Sequence, residues 1–230
     1  MEAAIAIFVI TLLLGSILVP LATQVEQRRV AEAERTLTEL KEALHGFAVA
    51  NGYLPCPDKT SVAGAGTAHD GLEDVNAGLC VVNEGNLPWA TLGAGITDPW
   101  GNRFRYAVNS GFSRRTPATP TFGFTTISTL EVCTTQTCAT RLTNVSDGPP
   151  AILLSHGPNG LGAINWQTNA ANPAAVSADE TENTDSDTRF VSREPGQTGS
   201  AGGAFDDIVV WVSRSILLNR MVAAGRLPSP

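Results

Sequence analysis

Four cysteines, three histidines and one dense run of carboxylates are the side chains of this 230-residue chain whose types could do chemistry. Asp179, Glu180, Glu182, Asp185 and Asp187 stand close together in a polar stretch. Calcium takes six to eight oxygen ligands, so such a segment could supply much of a coordination shell. Against this, no glycine stands where an EF-hand loop makes its sharp turn, and a solvated acidic loop is the ordinary fate of such a run. No residue is therefore assigned as a metal ligand and no cofactor is expected, with calcium kept open at this segment alone.

The cysteines, Cys56, Cys80, Cys133 and Cys138, allow three pairings. Cys133-Thr-Thr-Gln-Thr-Cys138 reads as a short loop closed on itself, which leaves Cys56 for Cys80 across a glycine-rich excursion, where a clamp gains most. A zinc site is the rival, but the spacing is not Cys-x-x-Cys and no histidine adjoins either pair. Oxidised cysteines would place this part of the chain outside the cytoplasm. The histidines, His45, His69 and His156, suggest no catalytic set. Ser155 and His156 are sequence neighbours, and neighbours on a strand point to opposite faces. No G-x-S-x-G, P-loop, G-x-G-x-x-G or H-E-x-x-H pattern occurs, so an enzyme is not expected. His45, beside Leu44, reads as a partly exposed imidazole.

The elements that must position these groups begin with the first fifty residues. Ala3 to Val25 carries no charged side chain, and the run is long enough to cross a hydrocarbon layer of about 30 Å as a helix. Met1-Glu2 is not a positive leader region and no clear cleavage site follows, so the run is expected to stay as a transmembrane anchor. An amphipathic helix continues directly from it. Val30, Ala33, Leu37, Leu40, Leu44 and Phe47 form an apolar stripe, with Arg28, Arg29, Glu32, Glu34, Arg35, Glu39, Lys41 and Glu42 on the other faces. Asn51-Gly52 is the first stop signal. The expected division is an apolar half over 1–25, an amphipathic half over 26–50 and a globular domain over 51–230. A net charge of −7, with no basic block beyond Arg28-Arg29, argues against a nucleic-acid surface.

Beyond the helix, Asp98-Pro99-Trp100-Gly101-Asn102 is a turn feeding a strand in which Phe104, Tyr106 and Val108 share one face. Phe122 to Val132 is rich in β-branched and aromatic residues, and Ala151 to Ser155 reads as a buried strand. His156-Gly157-Pro158-Asn159-Gly160 turns the chain. Residues 167–204 read as a long polar loop, Phe205 to Val212 as a closing strand, and Ser213 or Ser215 as the cap of a short helix with Leu218, Met221 and Val222 on one side. The fold class expected is α+β: a long amino-terminal helix, a small antiparallel sheet, long loops and a short carboxy-terminal helix.

The segment from Met1-Glu2-Ala3-Ala4-Ile5 to Pro20 resembles the amino terminus of type IV pilins and type II secretion pseudopilins, which share a processed apolar helix with a glutamate near its start and a later proline. In that family the glutamate is the fifth residue after leader cleavage; here it is the second, so either this chain begins a few residues into the mature protein or its spacing differs. Asp98-Pro99-Trp100-Gly101-Asn102 before an aromatic strand is similar to the major pseudopilins, as are the turn at His156 to Gly160, with Asn159 in place of an acid, and the closing strand. The resemblance implies that Glu2 neutralises the amino terminus of an adjacent subunit while the apolar halves pack into a filament core. Gly15 and Pro20 mark where the helix would bend or unwind on assembly. Implied partners are copies of the chain, other pilins or pseudopilins, a prepilin peptidase, an inner-membrane assembly platform and the membrane itself. The implied location is the bacterial inner membrane, crossed once with the bulk exported, and then a periplasmic or extracellular filament. The rival reading is a monomeric, membrane-anchored periplasmic binding module.

Overall fold

The computed structural model describes residues 2–115, 121–200 and 202–228, with the side chains of residues 2–21 and 145 outside that description. One helix, α1, runs from Glu2 to Asn51 without a break. It stops where Gly52 takes φ +86° and donates its N–H to the Ala48 carbonyl at 2.7 Å. A left-handed residue just past the last turn is the usual way to satisfy a terminal carbonyl. Among the described residues no helix is long and apolar enough to cross a membrane. The charge-free run over 3–25 falls almost wholly on residues whose side chains lie outside the description, as do Glu2, Gly15 and Pro20.

The remaining elements are β1 (Val75–Asn76), β2 (Leu79–Cys80), β3 (Glu84–Asn86), α2 (Trp89–Leu92), β4 (Arg105–Val108), α3 (Ser110–Ser113), β5 (Glu131–Cys133), β6 (Ala151–Ser155), α4 (Ala178–Glu182), β7 (Arg189–Val191), β8 (Ile208–Trp211) and α5 (Arg214–Ala223). Together they make a mixed α/β domain with a small antiparallel sheet in the order β3-β4-β6-β8. The strand period of two divides its residues between two cores. Tyr106, Val108, Ala151 and Leu153 face α1, where they pack with Leu37, Leu40, Leu44 and Ala48 of the helix and with Leu217, Leu218 and Met221 of α5. Ala107, Ile152, Leu154 and Val209 face the other way and pack with Leu130, Val132 and Phe190. Central strand β6 is buried on both faces, which is why its sequence is a continuous apolar run.

The helix stripe is as expected over Ala33, Leu37, Leu40 and Leu44, all buried. At its ends Val30 and Phe47 are only half-buried, and the inward line passes to Ala48 instead. A straight helix of 3.6 residues per turn drifts off a 3.5 repeat, so the far end of the stripe slips by one position. The same drift turns His45 inward: expected to be partly exposed, it is 2 % exposed. Burial, followed by the nearby Arg220 guanidinium, holds its pKa below the ordinary imidazole value.

The loops differ from the sequence expectation in two places. Residues 167–204 are not loop throughout, since they hold α4 and β7, and Phe190 and Val191 are buried. Within Phe122 to Val132 only the last residues are strand, in β5, which pairs parallel with β7 through Val132 opposite Phe190. This pair roofs the second core and would be exposed to water on its apolar side without it.

The Asp98 to Asn102 turn fixes the sheet to the helix. Asp98 Oδ1 accepts from the N–H groups of Trp100 at 3.0 Å and Asn102 at 2.8 Å, while Oδ2 accepts from Ser155 Oγ of β6 at 2.7 Å. Gly101 supplies the positive φ, +83°, that closes the turn. This presents the Trp100 indole to α1, where Nε1 donates to Glu26 Oε1 at 2.9 Å. Trp100→Phe removes that bond and keeps most of the ring contact. Because Glu26 is partly exposed, the loss expected in urea unfolding is about 1 kcal/mol, that of an ordinary hydrogen bond and less than that of a buried bond to a charged group.

Candidate functional site

Four side chains with buried polar atoms that lack a protein partner, His156, Glu180, Asp206 and Asp207, gather where β6 ends and β8 begins. The antiparallel pairing of Ser155 with Ile208 puts the His156 to Gly160 turn beside Asp206 and Asp207. Gly157 makes the approach possible, because a Cβ there would lie 2.2 Å from the Asp206 carbonyl oxygen. The third wall is α4, capped by Ser177, whose side chain accepts from the Glu180 N–H. That cap turns Glu180 inward, and it is 1 % exposed.

Glu180, Asp206 and Asp207 each have one satisfied oxygen and one bare one. Glu180 Oε1 accepts from Asn159 Nδ2 at 3.0 Å and from the Asp206 N–H at 3.2 Å. Asp206 Oδ2 accepts from the Asn159 N–H at 3.0 Å, and Asp207 Oδ2 accepts from Asn183 Nδ2 at 2.8 Å. The partners of these, Glu180 Oε2, Asp206 Oδ1 and Asp207 Oδ1, are buried with no protein hydrogen-bond partner. Ligand atoms of the three carboxylates lie within 4.8 Å of one another. His156, 1 % exposed, has Nδ1 3.4 Å from Asp207 Oδ1 without the alignment of a hydrogen bond, and neither ring nitrogen is satisfied.

Electrostatics follow from this crowding. Burial pushes Asp206 up to about 7, and the neighbouring Glu180 and Asp207 charges add to the shift against the Asn159 N–H, which opposes it. Three converging carboxylates that each keep a bare buried oxygen are what a hard divalent cation would satisfy, and these residues, with Asn159 fixing two of them, are the ones that could hold it. A cation there would neutralise the cluster and tie α4, the β6 turn and β8 together.

The acidic segment of the sequence is thus divided. Glu180 alone joins the buried cluster. Asp179 pairs with Arg193 at 2.7 Å and accepts from the Gln136 N–H at 2.9 Å. Glu182, Asp185 and Asp187 make a second, more exposed group, with Glu182 paired to Arg189 at 3.2 Å. Asp206, Asp207 and His156 belong to the cluster although the sequence does not single them out as site residues. The signal for them is a pair of acids at the mouth of an otherwise apolar strand. Ser155 Oγ is bonded to Asp98, so Ser155 and His156 are not joined as nucleophile and base.

Both expected disulfides are present. Cys56 and Cys80 are joined with Cα atoms 5.2 Å apart, and Cys133 and Cys138 with Cα atoms 5.1 Å apart. Glu2, Gly15 and Pro20, the residues assigned to subunit assembly, lie on the helix before the domain's contact at Glu26, and their side chains are outside the description. Comparison of the chain with protein-family models, curated proteins and solved structures finds no match.

Proposed function

We propose that the chain is a structural subunit of a type IV pilus-like or type II secretion pseudopilus filament. The apolar run over 3–25 would hold it in the bacterial inner membrane and then pack against the same run of sister copies. Lipid burial is exchanged for protein burial, so polymerisation needs little new hydrophobic stabilisation. The carboxylate cluster would bind calcium as a structural brace and would not take part in a reaction.

The observation that carries this reading is how the domain holds α1. The helix has 50 residues; among those whose side chains are described, its buried stripe runs from Ala33 to Ala48, while Ala22 to Val25 are exposed. A helix built only to complete this core would need no apolar extension ahead of Glu26. Two disulfides agree with an exported domain.

Glu2→Leu is the test. A filament subunit loses assembly while its membrane insertion persists, because the substitution removes the charge that sets the docking register and adds apolar surface. Sedimentation of sheared filaments and membrane flotation read the two properties separately. Unchanged filament yield, or an Glu2→Leu chain indistinguishable from wild type in every assembly assay, would favour the anchored monomeric module instead.

A further inference from the structure

We infer that Trp100 and Trp166 form a membrane-seating foot that rests the folded domain in the lipid headgroup layer before assembly. The inference rests on the reading that the run over 3–25 enters lipid, and it adds a partner for the domain itself.

The first observation is height. The run from Ala3 to Val25 is about 34 Å of helix, matching a hydrocarbon core of about 30 Å, so Glu26 stands at the headgroup level. Trp100 Nε1 is 2.9 Å from Glu26 Oε1, which places this indole at the same level. Trp166 is held beside it: its N–H donates to the Gly101 carbonyl at 3.3 Å, and its ring lies over Gly101, 3.6 Å from where a Cβ would be. Trp166 is 41 % exposed and Val25 42 % exposed. Two indoles with apolar bodies and polar N–H groups at this height are suited to a membrane interface.

The second observation is charge. The whole chain carries −7, a balance that anionic headgroups repel. Yet residues 160–177, which fold against the Trp100 turn, contain no charged side chain at all. Around that turn the acid Asp98 is buried and fully bonded. Glu26 is occupied by Trp100 and lies 3.9 Å from Arg29. Arg28 and Arg29 are exposed at the same level. At this level Asp98 and Glu26 are thus taken up by their partners while Arg28 and Arg29 stand exposed, which suits an anionic lipid surface.

The other two tryptophans are internal controls. Trp211 shares a depression with Lys41, Glu42 and His45, which lie about 22 Å or more further along α1. Trp89 opens α2, whose far end, Leu92, lies beside Thr36 and Leu40, about 15 Å above Glu26. Trp211 stands too high to reach the headgroups when the foot is seated, and the Trp89 ring is packed against Gly71.

The full-length chain, reconstituted into vesicles of phosphatidylcholine and phosphatidylglycerol with acyl chains brominated near the glycerol, provides the test. Flotation is measured first and tryptophan emission second. The chain should float, and the bromines should quench wild type about twofold more than the W100F/W166F variant. The reciprocal W89F/W211F variant, which keeps only the foot indoles, should quench as strongly as wild type or more. A chain that floats with quenching unaffected by W100F/W166F, or weak in W89F/W211F, overturns the foot and leaves the membrane reading standing. A chain that does not float overturns both.

Discussion

Serine at both Cys56 and Cys80 is expected to cost the domain about 3.5 kcal/mol in urea unfolding, against about 2 kcal/mol for the same change at Cys133 and Cys138. The difference comes from the denatured chain. Cys56 and Cys80 are 24 residues apart and the second pair 5, and the entropy a cross-link removes from the unfolded ensemble grows with the logarithm of that span. The folded side argues in the same direction. Cys56 is fully buried next to Pro55, whose carbonyl accepts from Tyr106 Oη at 3.0 Å. The excursion it clamps has its own polar ties: Asp58 accepts from the N–H groups of His69 and Gly71, and the Lys59 N–H donates to Asp74 Oδ2 at 2.8 Å. Those bonds should keep the excursion in place once folded, so the double variant should show a lower midpoint with an unchanged tryptophan emission spectrum. Equal losses for the two pairs would contradict this account.

What the sequence revealed and what it concealed divide along physical lines. Residues whose burial follows from a local period were legible: Leu37, Leu40 and Leu44 on a helix, Tyr106 and Val108 on a strand, Ala151 to Ser155 as a run buried on both faces. The Asp98 turn was legible because proline and glycine restrict the backbone by themselves. The parallel pair β5 and β7 was not, since each strand has three residues and nothing local marks a partner so far along the chain. The carboxylate cluster was hidden for a related reason. Five acids in one segment read as one solvated loop, but α4 sends Glu180 inward while Asp179 turns to Arg193 and Glu182 to Arg189. The true neighbours of Glu180 come from a strand pairing, between Ser155 and Ile208, that no local pattern announces. His45 shows the same limit on a helix, where one position of drift exchanges an exposed ring for a buried one.

The cluster also makes the second large prediction. Asp206 is pushed up to about 7 from an ordinary 3.8, chiefly by burial. Its folded pKa is raised, so between those values the folded protein holds a proton that the unfolded chain has released, and stability falls as pH rises through the interval. Below about pH 4 both states are protonated and the penalty vanishes. Asp58, raised to about 6, and Asp98 and Glu84, also raised by burial, slope the same way. His45 and His69, both lowered by burial, slope oppositely, because the unfolded chain binds their protons first as pH falls. The wild-type curve is the sum of these, so Asp206→Asn is compared with it at each pH. The variant keeps an oxygen for the Asn159 N–H and carries no charge. It should match wild type near pH 4 and exceed it by on the order of 3 kcal/mol above about pH 8 in chelator. Millimolar calcium should invert the order, since it stabilises the wild-type carboxylates in their charged form and leaves the variant little changed. If Asp206→Asn were less stable than wild type in chelator above pH 8, the bare oxygens would already be satisfied without a cation. The cluster would then be an ordinary hydrogen-bonded junction and the calcium brace would fall with it.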